Sequence, residues 1–241
     1  MIFFATPIFY ITAIYVLAAI VPAGFLMRYI YRQDKVEKEP TPLLGALVLG
    51  GVLAALAACV LERLGSTLLN RLVQPTNPYY VILYAFLVVA AVEEGTKFFF
   101  LYRRTWRDGN FNYRFDGVVY AVFVSLGFAA FENVLYVFQY GLSVALPRAI
   151  LSIPGHMGFA VFMGAFYSRA RLRFFRRQPM RCRINLAAGY LIAGFLHGVY
   201  DTCCLIGSNT STLAFLAFVV VMYLVVYATI RRESRKDRPI L

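Results

Sequence analysis

Seven stretches of this chain stay apolar for about 20 residues or more, the length a helix needs to cross the hydrocarbon core of a bilayer. They run over roughly 5–27, 43–62, 79–101, 116–138, 148–168, 185–206 and 212–230. Of its 241 residues 61% are hydrophobic and only 15% charged, a balance that would leave a soluble domain with too much exposed apolar surface. The connections are short, so no separate soluble domain is expected. The expectation is an all-α, polytopic membrane protein of about seven transmembrane helices in one bundle, a single domain over 1–241.

Charge orients the bundle. Lys and Arg alternate between rich and poor connections: four in 28–42, two in 63–78, four in 102–115, one in 139–148, seven in 169–183, none in 207–211 and five in 231–241. The positive-inside rule then predicts the N-terminus outside and the C-terminus in the cytoplasm, and the alternation is regular only with seven spans. The net charge of +12 is therefore read as topology and contact with anionic lipid head groups, not as a nucleic-acid surface. The first span lacks a basic leader, is too long for a secretory signal and is followed by Arg28 and Arg32, so a retained anchor is expected. Cys59, Cys182, Cys203 and Cys204 show neither C-x-x-C spacing nor a disulfide framework.

Local signals mark the connections. Pro42 suits the first turn of span 2. The segment 64–78, with Gly65, Pro75 and Pro78, is expected to be an interfacial helix or a flap. Asp108-Gly109 signals a turn. Pro154 should kink span 5 just before His156. No internal repeat is evident, which weakens a transporter reading.

Inside the apolar stretches sit eight ionisable side chains: Glu93, Glu94, Lys97, Asp116, Glu132, His156, His197 and Asp201. A charge at the bilayer centre costs at least roughly 2.5–3.5 kcal/mol, so they must be paired, wetted or used. Lys97 lies four residues from Glu93 and three from Glu94, close enough to reach either, yet one lysine cannot neutralise two glutamates. Asp116 falls at the start of span 4, where helix capping is expected. Glu132 is deep, with Asn133 beside it and small residues Gly127, Ala129 and Ala130 allowing close backbone approach. His197 and Asp201, four apart, share a helical face. Counted at roughly 1.5 Å per residue from the outer ends, Glu132, His156 and His197 lie about 12–14 Å deep, Asp201 near 8 Å and Glu93 near 20 Å.

Such a set can hydrolyse a bond in two ways. In one, two histidines with Glu132 or Asp201 hold zinc while Glu93 or Glu94 is the general base. In the other, a glutamate activates water directly and histidine and amide donors stabilise the oxyanion. The H-E-x-x-H zinc signature is absent. A proton- or cation-coupled transporter and a non-enzymatic scaffold with polar helix locks use the same residue types.

Four motifs in order, Glu93-Glu94-Gly95-Thr96-Lys97, Phe128 to Glu132, His156, and His197 to Asp201, resemble the PrsW family of intramembrane proteases, related to the CAAX-prenyl endopeptidase and bacteriocin-processing group. The resemblance extends from the Asp34 to Pro40 hinge through span 6. It implies a bacterial plasma-membrane endopeptidase that cleaves a membrane-anchored protein, in the family's best-known role a single-pass anti-sigma factor. By the same resemblance Glu93 and Glu94 include the water-activating base, and Glu132, His156, His197 and Asp201 complete the site, with Lys97, Asn133 and Phe128 supporting. A glutamate mechanism without a cofactor is preferred over zinc held by His156, His197, Glu132 and Asp201, and the choice between Glu93 and Glu94 stays open.

Overall fold

Each apolar run becomes helix in the computed structural model, which describes the backbone of residues 2–240 and the side chains of 9–240. The order is α1 (Ile2–Gln33), α2 (Thr41–Leu72), α3 (Tyr80–Leu83), a π-helical segment (Tyr84–Ala90), α4 (Ala91–Thr105), α5 (Asp116–Tyr140), a 3-10 turn (Leu142–Val144), α6 (Ala145–Ile150), α7 (Ser152–Phe175), α8 (Pro179–Ile206) and α9 (Asn209–Arg235). The only strand pairing among the described residues is an isolated bridge, Tyr113 with Pro239. Six helical passages are long and apolar enough to span a bilayer. The seventh, from Tyr80 to Thr105, is as long but carries Glu93, Glu94, Lys97, Arg103 and Arg104.

α5 is the axis of the bundle. Every residue from Asp116 to Ala129 is buried, so this helix is enclosed all round, as an apolar core helix must be. α1, α2 and α7 pack on it, α8 packs on α7, and α4 lies between α2, α5 and α8. Two glycine crossings set these distances. A Cβ at Gly127 would drive into the Val48 carbonyl of α2 and one at Gly51 into the Val124 carbonyl of α5. Gly117 and Gly164 make the equivalent contact between α5 and α7. The expected close approach at Gly127 is thus present and reciprocal.

Three local expectations are corrected. Residues 64–72 are neither a separate interfacial helix nor a flap: α2 runs on to Leu72, with Ser66 and Thr67 donating to the Glu62 and Arg63 carbonyls. Pro154 does not kink a continuous helix. The break falls at Leu151, between α6 and α7, and Pro154 sits in the first turn of α7, where no amide proton is needed. Asp116 does not cap α5; its carboxylate accepts from the amides of Asn112 and Tyr113, at 3.0 and 2.7 Å, in the preceding turn. The Asp108 turn is present, closed on the Asn110 amide at 3.1 Å.

The basic connections gather at one end. Ser234 donates to the Gln33 carbonyl, Arg171 holds the carbonyls of Trp106 and Asp108, and Asn112 reaches Glu37. The tail after α9 folds back on this end: Asp237 accepts from the Phe115 amide at 2.9 Å, and the Ile240 amide donates to Asn112 at 2.7 Å.

Two carboxyls of the hinge between α1 and α2 are shifted upward. Burial raises Asp34 to about 6 against the opposing pull of Lys38, with Asp237 and Glu37 adding to the rise. Burial also raises Glu39 to about 7; the Tyr120 hydroxyl, 2.6 Å away, opposes the shift, and Asp34 and Glu37 reinforce it. Both bind their proton more tightly in the fold than in the open chain. Their contribution to stability is therefore complete below about pH 4 and is lost as pH rises through about 6 and 7. Hydrogen exchange of the Arg114, Phe115 and Ile240 amides, corrected for intrinsic rate, should show protection falling from pH 5 to pH 8. Flat or rising protection would contradict this.

Candidate active site

The glutamate helix changes its winding just before its charged turn. The π-helical segment Tyr84–Ala90 ends where α4 begins, and such wide turns often occur at functional sites. It is fixed from α8, because Phe86 lies over Gly198, where any Cβ would meet the ring. Gly198 follows His197 directly, so this packing sets the helix bearing Glu93 against the one bearing the histidine.

The Lys97 ammonium then organises the centre. It donates to Glu93 Oε2 at 3.0 Å and Glu94 Oε1 at 2.8 Å, and lies 3.1 Å from His156 Nδ1. The Phe128 ring covers it at 4.0 Å, a cation–π contact that explains the phenylalanine four residues before Glu132. Glu93, Glu94, Lys97, His156 and His197 are all buried.

Both imidazoles are engaged on both sides. An ammonium has no lone pair, so His156 Nδ1 accepts from Lys97 and Nε2 donates to Glu132 Oε2 at 3.1 Å. His197 Nδ1 meets Glu94 Oε1 at 3.0 Å, and Nε2 lies 3.3 Å from Asp201 Oδ2 and 4.0 Å from Glu93 Oε2. Both nitrogens of His197 thus face carboxylates, an arrangement satisfied when both carry protons. The two rings meet edge to face, with centroids 5.3 Å apart, and Phe159 stacks on His197. Ser125 donates to the His156 carbonyl at 2.9 Å, fixing α7 on α5 at this level.

A cavity of about 380 Å³ opens beside this network, lined by Glu93, Glu132, His156, His197 and Asp201. Glu94 and Lys97 are behind it, not on its wall. The depth mismatch counted for Glu93 closes in three dimensions, since its carboxylate reaches the His197 and Lys97 network. Asn133 faces elsewhere. Its amide donates to the Ala19 carbonyl of α1 and its oxygen accepts from Arg148 Nε, both at 2.9 Å, so it ties helices together and offers nothing to an oxyanion. Asp116 is absent from the cavity wall.

Residues without a motif also line the cavity. Arg148, read from sequence as a loop charge, donates to Glu132 Oε2 at 2.7 Å and lies 3.7 Å over the Tyr136 ring. Glu62, at the last position of an apolar run, also lines the cavity, as do Tyr84 and Cys204. All four cysteines are free.

Ligand atoms of Glu93, Glu94, His156 and His197 all lie within 4.8 Å of one another, a spacing a metal ion could bridge. A family model described as "PrsW family intramembrane metalloprotease" matches residues 39–230. The chain belongs to the PrsW family. The curated "Protease PrsW" of Geobacillus kaustophilus is 33% identical over 184 residues, 76% of each chain. That of Clostridioides difficile is 31% identical over 86% of each chain, and that of Bacillus subtilis 29% identical over 76% of this chain and 79% of its own. No solved structure matches the chain significantly. This PrsW-family protein is therefore a multi-pass bacterial membrane protein and an intramembrane peptidase, acting on a protein substrate held in the bilayer. The transporter and scaffold readings give way to it.

Removing one partner of a buried ion network strands the others, at a cost of about 3–5 kcal/mol. Lys97→Ala should accordingly lower the thermal unfolding midpoint of the detergent-purified PrsW-family protein by several degrees. An unchanged midpoint would contradict the network.

Proposed function

We propose that this chain hydrolyses a peptide bond of a membrane-anchored protein with water activated by Glu93. The observation that carries the reading is the division of labour within the glutamate pair. Glu93 lines the cavity, while Glu94 lies behind it, held by Lys97 and His197. Glu93 takes a proton from water as the water oxygen bonds to the scissile carbonyl carbon. It returns that proton to the amide nitrogen as the C–N bond breaks. To meet the oxyanion formed between these steps, the Nε2 protons of His156 and His197 turn from Glu132 and Asp201, the carboxylates that hold them in the resting site. Asp201 orients and charges His197, and Glu132 with Arg148 orients His156.

Zinc fits this arrangement poorly. The carboxylates and histidines are the right ligand types. However, Lys97 stands where Glu93, Glu94 and His156 converge, and every imidazole nitrogen already has a protein partner. The set of His156, His197, Glu132 and Asp201 is likewise consumed in two pairs, a hydrogen bond and an ion pair. A metal would have to displace an ammonium and free a lone pair on each ring, so the reading takes no cofactor.

The proposed substrate is a single-pass protein, an anti-sigma factor in the family's best-known role, cut in the outer half of the membrane. The proposed topology has the N-terminus outside, seven spans in one domain and the tail in the cytoplasm; the gathering of basic connections at one end supports it.

General-base catalysis contributes about 10²–10⁴-fold, which sets the expected loss. In proteoliposomes with a single-pass reporter, Glu93→Gln should lower kcat by at least about 100-fold while the protein still elutes as folded material. Glu94→Gln should lower the unfolding midpoint as well as the rate. A Glu93→Gln enzyme with near wild-type kcat would refute the assignment.

A further inference from the structure

Every acid on the cavity wall has a cation or imidazole against it, with one exception. Glu93 meets Lys97 at 3.0 Å, Glu132 meets Arg148 at 2.7 Å and Asp201 meets His197 at 3.3 Å. Glu62 of α2 lines the same cavity half-buried, and among the described residues nothing pairs with its carboxylate; only its backbone carbonyl is used, by Ser66 at 2.7 Å.

Charge balance points the same way. The site and the groups behind it hold five carboxylates, from Glu62, Glu93, Glu94, Glu132 and Asp201, against the two permanent cations Lys97 and Arg148. His156 accepts from Lys97 and so is neutral, which leaves three cations with a protonated His197 and two carboxyl groups in excess; Glu62 is the one without a partner. An ionisable group left unpaired inside a membrane domain is costly to charge and marks a functional position.

The position of Glu62 is also held. At Gly65, three residues on, a Cβ would lie 3.1 Å from Val88 of the π-helical segment. α2 is therefore pressed against the helix that carries Glu93, and Glu62 lines the same cavity as the catalytic groups.

We propose that Glu62 is a specificity-determining residue that receives a cationic side chain, lysine or arginine, next to the scissile bond of the substrate. The proposal rests on the protease reading of the cavity. An incoming cation pairs with the one acid on the wall that the protein leaves open, whereas a carboxylate there would add another unpaired acid. Selection thus works by attraction and by repulsion at one position.

The test uses full-length protein in proteoliposomes and one single-pass reporter in which each residue flanking the scissile bond is in turn Gln, Lys or Glu. At one position the wild type should cut the Lys reporter with kcat/KM about tenfold above Gln, and Gln above Glu, mainly through KM. Glu62→Gln should flatten that order and Glu62→Lys should invert it. A flat wild-type profile, or a Glu62→Lys protein that still prefers Lys, overturns the proposal while leaving the protease reading intact. Wild-type protein that cuts no reporter removes the protease reading and this proposal with it.

Discussion

The Lys97 ammonium is the interaction on which this structure depends. Two adjacent glutamates inside a bilayer-spanning bundle need compensation, and among the described residues Lys97 is the only permanent cation in direct contact with them. One ammonium has three protons, and their directions are taken by Glu93, Glu94 and His156. Because these groups come from α4 and α7, and Phe128 of α5 closes the open side, a single charge pins three helices at one depth. The glycine crossings of α2, α5 and α7 serve the same end by bringing the backbones close enough for short side chains to meet.

From that centre the protonation pattern follows by hydrogen-bond logic alone. Lys97 forces His156 to accept on Nδ1, so its Nε2 proton is presented to Glu132 at the cavity. Glu94 and Asp201 hold the two sides of His197, so its Nε2 also presents a proton there. The site is thus a carboxylate, Glu93, on the wall of one cavity with two imidazole N–H groups that Glu132 and Asp201 hold in place. Those are the groups hydrolysis requires, a base and N–H donors. The remaining acid on the wall, Glu62, differs from these because no protein group completes it.

Much of this was legible in the residues themselves. The i, i+4 and i, i+3 spacing of Glu93, Glu94 and Lys97 stated their pairing, and the same spacing joined His197 to Asp201, because helix periodicity is local. What stayed hidden depended on neighbours distant in sequence. Asn133 beside Glu132 reads as a site amide, yet the turn of α5 aims it at the Ala19 carbonyl. Arg148 reads as a loop charge until the break at Leu151 brings it under Glu132. Asp116 reads as a cap, but the turn before it supplies better donors. Glu62 sits at the edge of an apolar run, where a charge needs no explanation until the cavity is seen. Local pattern also carries no sign of the π-helical winding, which the packing of Phe86 on Gly198 secures.

The central claim is that Lys97, not a metal, holds the glutamates and histidines together and that Glu93 activates water. Metal content measured alongside turnover tests it most directly. Protein purified in detergent, reconstituted and assayed on one defined reporter should contain far less than one zinc per chain and keep its full rate after dialysis against a strong chelator. Stoichiometric zinc whose removal abolishes turnover, and whose return restores it, would contradict the account.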